Sequence, residues 1–392
     1  MFRTLRLSVA WFCCLLFLAY LVGCSAKQGA EKGSDSSKEQ KQAETKAKQY
    51  TKAEELYADL AKLSPAERQQ KLEEGAKKEG GTVQIYTVLD EEGMNLAKKI
   101  FSEKYPFGKV EYISGKSSDL FPRAQAEFRS GQYLVDILAT GSQGLLAINK
   151  DFPMAKLYDL PIPQGYPKQY YTEWWASHAS SPNVITWNTK IVSPGEAPKS
   201  YEDLLDPKWK GKVVIDIDPY HMIVAMLEKW GEAKTKEYLQ KLIVDNKAQI
   251  RKGHTQEVDM LVAGEFPITI ESYLYRVEAM RNQGAPLDWA APDPTPAIIW
   301  PTGIANQAKH PNSAMLFMQI FLGKEFAEQI AKDGYTVANP QAKLAFPRLS
   351  YFASGEGLAK FVPNSPERTG KWEAQVNDIE KNLLQANMQK GK

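Results

Sequence analysis

Short β-branched runs in this chain are followed, again and again, by hydroxyl, carboxylate or glycine residues. One group comprises Thr87, then Gly115, Ser117 and Ser118, then Thr140, Gly141 and Ser142. Each stands before a segment with a helical pattern, where free backbone N–H groups and the helix dipole suit an anion or an oxygen-rich ligand. Helix capping alone also explains a Ser or Thr at such a place; its occurrence at three strand ends favours a ligand. A second group comprises Asp216, Asp218, Tyr220 and His221, then Gly253, His254 and Thr255, then Glu271, Ser272 and Tyr273. Carboxylates there suit a cation or a metal ion, or accept the hydroxyls of a polar solute. The candidate ligand-binding set is Thr87, Ser117, Ser118, Thr140, Gly141 and Ser142 as donors. Asp218, Thr255 and Glu271 join it as acceptors, with Tyr273 as an aromatic wall. Trp174, Trp175, Trp187 and Trp300 read as core or hinge packing; two of them facing a cleft would stack on an organic cation.

Enzyme chemistry finds little footing. The chain has no G-x-S-x-G elbow, no H-E-x-x-H, no phosphate loop and no dinucleotide fingerprint. Its three cysteines are Cys13, Cys14 and Cys24, all ahead of the folded body. That excludes a thiol nucleophile, a disulfide framework or a thiolate metal site there. His178, His221, His254 and His310 lack metal-ligand spacing. Asp90-Glu91-Glu92 looks catalytic but reads better as a helix start favoured by the dipole. No cofactor is expected.

The elements that must position these residues alternate. Leu56, Leu60 and Leu63 recur at helical spacing, and Ser64-Pro65-Ala66-Glu67 restarts a helix that Gly80-Gly81 ends. Strands are expected at Thr82–Val88, Val110–Ile113 and Tyr133–Leu138. Helices are expected after Asp90, over Leu120–Ser130 and from Ser142. The same grammar returns with strands at Val213–Ile217, Gln249–Arg251 and Ile268–Ile270. Helices follow each, the last one running to Asn282. Ala297–Ile304 crosses back, His310-Pro311-Asn312-Ser313 caps a helix, and a final helix spans Lys371–Met388. Such units give parallel sheets with right-handed crossovers. Their ligands sit beyond the carboxyl ends of the strands.

Arg3 and Arg6 precede the apolar run Leu7–Gly23, which is short for a membrane span. A basic start, an apolar run and a small residue before the cut describe a secretory signal. Ser25–Tyr50 is too polar to fold. As a coil it would reach about 25–30 Å. The formal charge of the 392 residues is +2, and Arg3 and Arg6 account for it. A neutral body offers no basic face to nucleic acid.

An ordered set of short motifs carries a family resemblance over about residues 80–345. The first is Val83-Gln84-Ile85-Tyr86-Thr87, with Lys104-Tyr105-Pro106 before Val110-Glu111-Tyr112. The second is Gly115-Lys116-Ser117-Ser118, with Val135-Asp136-Ile137 before Thr140-Gly141. The third and most specific is Tyr201-Glu202-Asp203-Leu204-Leu205-Asp206-Pro207-Lys208-Trp209-Lys210-Gly211-Lys212. Trp187-Asn188-Thr189, Gly264-Glu265-Phe266-Pro267, Gly284-Ala285-Pro286 and His310-Pro311-Asn312 complete the ordered set. Together these resemble the iron(III)/thiamine/polyamine branch of the extracellular solute-binding proteins of bacterial ABC transporters. Leu21-Val22-Gly23-Cys24 likewise resembles a lipoprotein signal, which implies that Cys24 is acylated.

The resemblance implies an α/β, two-lobe type II periplasmic-binding-protein fold with parallel-rich sheets flanked by helices. A hinge between lobes would close on one solute, and the loaded protein would dock to a membrane permease. The expected organisation is a signal peptide (1–23), lipidated Cys and tether (24–50) and helical extension (51–80). Lobe 1 follows (81–184 and 297–345), then lobe 2 (185–296) and a C-terminal helical segment (346–392). The protein is expected to be a monomer at the periplasmic face or outer cell surface. Its partners would be a small-molecule or metal-ion solute, the permease, and the bilayer through Cys24. An anionic or oxygen-rich solute is favoured, with ferric iron or its complex as a further ligand. Ferric members hold iron with adjacent tyrosines. Here Glu271-Ser272-Tyr273-Leu274-Tyr275 places Leu274 between the two, on what reads as a helix, and leaves Tyr273 and Glu271 as metal candidates. The alternatives are a ligand-sensing lipoprotein that presents to a receptor, and an enzyme on the same fold.

Overall fold

Helix α1 (Ala53–Leu60) leads into α2 (Pro65–Lys78) through a complete capping box. The Glu67 amide donates to Ser64 Oγ at 3.4 Å, and the Ser64 amide donates to Glu67 Oε2 at 3.1 Å. The computed structural model describes residues 52–141, 152–352 and 355–390. The signal, the tether with Cys24, and Ser142 with the helix expected after it lie outside the described residues. Gly81 turns the chain at φ +72°, where a Cβ would overlap the Phe107 carbonyl oxygen. Glu79 reaches 233 residues along the chain. Its carboxylate accepts the amides of Asn312 (3.1 Å) and Ser313 (2.9 Å), capping a helix that its own element merely packs against.

Strand β1 (Thr82–Thr87), α3 (Glu91–Lys104), β2 (Lys109–Ser114), α4 (Ser117–Arg129) and β3 (Ile137–Ala139) follow. Asp90 caps α3 by accepting the Gly93 amide at 2.9 Å, so the acidic triplet is a helix start. The strand expected over Tyr133–Leu138 is shorter, because Tyr133 and Leu134 lie exposed, with Tyr133 against Phe128. Next come β4 (Ala176–Asn188), β5 (Val213–Asp216), α5 (Tyr220–Trp230) and α6 (Glu232–Gln240). They lead to β6 (Gln249–Arg251), α7 (His254–Ala263), β7 (Ile268–Tyr273), α8 (Leu274–Asn282), β8 (Leu287–Ala290) and β9 (Thr295–Ile304). Helices α9 (Pro311–Phe321) and α10 (Lys324–Ile330), strand β10 (Thr336–Val337), helix α11 (Gly355–Lys360) and strand β11 (Phe361–Pro363) precede the end. The final helix starts earlier than expected, as α12 (Pro366–Ile379). It passes through a π-helical turn at Glu380–Gln385 into α13 (Ala386–Lys390).

The strands run β2-β1-β3-β9-β4-β7-β5-β6. Pairs β1/β2, β1/β3, β5/β6 and β5/β7 are parallel, whereas β3/β9, β4/β9 and β4/β7 are antiparallel. Strand β4 serves both ends: Ala176–Pro182 pairs with β9, and Asn183–Trp187 pairs with β7. Two hydrophobic clusters match these ends. The second takes Val376, Ile379 and Leu384 from the C-terminal helices. The segment after Leu349 is not purely helical, since β11 adds a parallel strand to β9 at Thr295–Ala297.

Candidate functional site

A cavity of about 430 Å³ opens where β5, β6 and β7 end. Asp216, Ile217, Asp218, Tyr220 and His221 line it from the β5 end, and Lys252, Gly253 and His254 from the β6 end. Tyr273 closes β7. Ser117 and Gly141 face them from the other half of the sheet, and Ile298 and Asn364 complete the wall. This is the position that an open α/β sheet reserves for a ligand.

His254 is the electrostatic centre. Its Nδ1 lies 3.3 Å from Asp216 Oδ2 and its Nε2 lies 3.5 Å from Glu271 Oε2. Burial alone would lower its pKa, but the Glu271 and Asp216 carboxylates override that and raise it to about 9. The ring is therefore favoured as imidazolium at neutral pH, with Nδ1 facing the Asp216 carboxylate and Nε2 facing that of Glu271. Its partners are fixed in turn. Asp216 accepts the Asp218 amide at 2.8 Å and the Gly253 amide at 2.5 Å, the latter made available by the +108° φ of Gly253. Glu271 Oε1 accepts the Met222 amide at 2.9 Å. Burial raises the Glu271 pKa, with His254 opposing. Its backbone sits at φ 66°, a left-handed conformation uncommon for a residue with a Cβ. Glu257 stands nearby, its pKa pushed up to about 7 by burial and by Asp216. His221 is driven the other way, to about 4, by burial and by the His254 charge. It is thus neutral, and its Nδ1 accepts from the Asn364 amide at 2.8 Å.

The aromatic wall is a stack. His254 and Tyr273 lie 4.9 Å apart at 3°, Tyr273 and Tyr275 6.0 Å apart at 12°, and Tyr275 and Tyr335 5.0 Å apart at 16°. The helical spacing expected for Tyr273 and Tyr275 is corrected here. Tyr273 ends a strand and Tyr275 opens the next helix, so the strand–helix junction lets the two rings overlap.

Of the candidate residues, Ser117, Gly141, Asp218 and Tyr273 line the cavity, and Glu271 lies directly behind it. Ser117 Oγ accepts the Gly141 amide at 2.9 Å, tying two strand ends together. The others are placed elsewhere. Thr87 is buried and accepts the Leu89 amide at 3.0 Å. Thr140 is buried, with its hydroxyl on the Gly141 carbonyl. Ser118 points out to Asp119, and Thr255 is exposed on α7. Trp175 and Trp187 are core residues, and Trp300 stacks on His178. The carboxylate ends thus dominate the cavity and the hydroxyl ends mostly serve local turns.

Sequence reasoning passed over His254 for its neighbour Thr255, although the strand-end rule had marked both. It had no signal for Asn364 or Glu380. Glu380 sits on the π-helical turn and comes within hydrogen-bond reach of Asp218.

A sequence profile of bacterial extracellular solute-binding proteins matches residues 126–355. The iron uptake protein A2 of Synechocystis is 23% identical over 217 residues, which are 53% of this chain and 60% of that protein. Among solved structures, the Trichodesmium protein FutA in complex with iron and citrate superposes with a TM-score of 0.66 at 18% identity, over 77% of this chain and 99% of that one. The Actinobacillus pleuropneumoniae binding protein AfuA, with fructose-6-phosphate bound, gives 0.56 at 22%, over 77% and 98%. These neighbours are two-lobe periplasmic binding proteins, as the α/β reading expected, and they bind rather than transform their solutes. Among the described residues no helix is long and apolar enough to cross a membrane. With more than half its length inside the profile and its strand ends gathered around one cavity, the chain belongs to the bacterial extracellular solute-binding proteins.

Proposed function

We propose that this protein captures a small organic solute bearing a cationic group and delivers it to the permease of an ABC importer. On this reading Cys24 carries the lipid that holds it at the membrane. The observation that carries the solute class is the charge of the cavity. Asp216 and Glu271 are spent on His254, whereas Asp218 remains exposed beside Glu380 with Tyr273 alongside. An ammonium group satisfied by two carboxylates and an aromatic edge fits that arrangement. An anion would still find Ser117, Gly141, Lys252 and His254 in the lining, but Thr87, Thr140 and Ser118 are occupied elsewhere. Iron is the solute that the name of the Synechocystis relative suggests. Among the described residues no three His, Cys, Asp or Glu are grouped to hold a metal ion, and the tyrosines at the cavity, Tyr273 with Tyr275 and Tyr335 behind it, lie in a ring stack. On this reading the lobes are 81–184 with 297–345, and 185–296.

The test is a thermal-shift panel on the full-length protein in detergent, with terminal diamines, 4-aminobutyrate, thiamine, ferric citrate and sugar phosphates. Ligand at 100 times its dissociation constant adds about 2.7 kcal/mol. A shift with an amine supports the reading, and a shift with sugar phosphate alone overturns it.

A further inference from the structure

The sheet beneath the cavity carries polar atoms that the fold itself does not use. Antiparallel strand partners turn their side chains to the same face of a sheet, and successive residues alternate. On β4, Ser181 pairs with Ile298 of β9, and Asn183 pairs with Tyr273 of β7. Ile298 and Tyr273 both line the cavity, so Ser181 and Asn183 stand between them on its side of the sheet. Both are 1% exposed. Among the described residues, Ser181 Oγ and Asn183 Oδ1 have no hydrogen-bond partner. Asn183 Nδ2 donates to the Glu271 carbonyl at 3.5 Å, which leaves the oxygen free. Other polar side chains of the strand are satisfied. Ser177 Oγ donates to the Ala179 carbonyl at 2.8 Å, Ser180 Oγ meets Tyr170 Oη at 2.9 Å, and Asn188 Nδ2 donates to the Leu261 carbonyl at 2.8 Å. A buried oxygen without a partner destabilises the fold, and a buried strand accepts apolar residues readily. Packing alone would not select two such oxygens on the face that meets the cavity.

We infer that Ser181 and Asn183 are specificity-determining residues of the cleft, whose neutral oxygens accept N–H groups from the cationic end of the solute. This rests on the reading that the solute carries such an end, and it narrows the class to ammonium groups that have N–H donors. Asp218, exposed in the lining, supplies charge, and Tyr273 offers its ring to any cation. Buried acceptors discriminate more sharply, because a quaternary ammonium leaves them unpaired. The solute reaches them past Ile298, the part-buried partner of Ser181.

Ser181→Ala and Asn183→Leu remove the two oxygens. On the full-length protein, calorimetry with 4-aminobutyrate or a terminal diamine should show roughly five- to tenfold weaker binding by each variant. Affinity for the N-trimethylated form of the same probe should change by less than about twofold. Thr336→Val removes another buried hydroxyl in the same condition, but on the opposite face, since Thr336 pairs with Ser180. It should leave both affinities unchanged. Without solute, Ser181→Ala should melt about 1–3 °C higher, because a buried oxygen without a partner is gone. A hydroxyl kept for the fold would do the opposite. If the amine binds the wild type and both variants alike while Asp218→Asn fails, the inference is overturned and the proposed solute class stands. Equal losses for the amine and its trimethylated form also overturn it, since they report a changed shape rather than lost acceptors. If only an anion binds, both fall. If no probe binds, the solute-free melt decides: a higher midpoint supports acceptors kept for binding, and a lower one overturns them.

Discussion

At the scale of single residues, charge separates the side chains that can meet a solute from those that hold the walls. Asp218 is exposed to the cavity and its amide is already anchored on Asp216. Asp218→Asn should therefore weaken amine binding roughly 10- to 100-fold with little change in fold, as calorimetry would show. Ser118→Ala should leave affinity within about twofold, because Ser118 points to Asp119; a large loss would mean the cavity extends further along α4. His254 gives a pH signature. Its pKa is raised from the ordinary histidine value of about 6.5 to about 9 by the carboxylates facing it, Asp216, Glu271 and Glu257. A raised value means that the stabilisation is complete below about pH 6.5 and is lost as pH rises through about 9. It is on the order of a few kcal/mol. The melting advantage of wild type over His254→Gln should shrink between these limits, and a constant gap would show that the imidazolium is not what the clamp holds. These residues were legible as strand-end chemistry. What the sequence could not say was which of two adjacent residues turns inward, because that depends on the φ of Gly253 and the start of α7.

At the scale of elements, legibility followed local signals. The capping box at Ser64 and the cap at Asp90 were readable because the partners lie three residues apart. Strand β4 was not read beyond its end at Trp187-Asn188. Its thirteen residues are all buried, with small and polar side chains such as Ser177, Ser180, Ser181 and Asn183, so no alternation marks it. The start of α9 was read at His310-Pro311-Asn312-Ser313, but His310 makes no side-chain cap and the acceptor is Glu79, which arrives from another element. Glu79→Ala should cost about 1–2 kcal/mol by leaving the Asn312 and Ser313 amides without their acceptor. That would lower the midpoint by a few degrees. Solute affinity should be untouched, because α9 is remote from the cavity lining. A midpoint equal to wild type would mean that the hairpin is held by its apolar contacts alone.

At the scale of the whole molecule, the proposed function calls for the two ends of one sheet to move about the strands they share. β4 passes from pairing with β9 to pairing with β7, with register shifts on both sides of that change, at Ser177/Ser180 and Val184/Thr186. Such irregularities let a long strand bend without breaking its ladder. β9 makes the return path, and the arm makes a third by leaving β11 for α5. A solute that bridges Ser117 and Gly141 on one side and Asp218 and Tyr273 on the other more tightly in a closed form than in an open one shifts the population toward closure. Small-angle scattering should then show a smaller radius of gyration with solute. Hydrogen exchange should slow at the start of α4 and the start of α5, while the already buried centre of β4 stays unchanged. An unchanged radius at saturating solute would mean that the cavity is preformed and that delivery to a permease cannot be signalled by hinge closure.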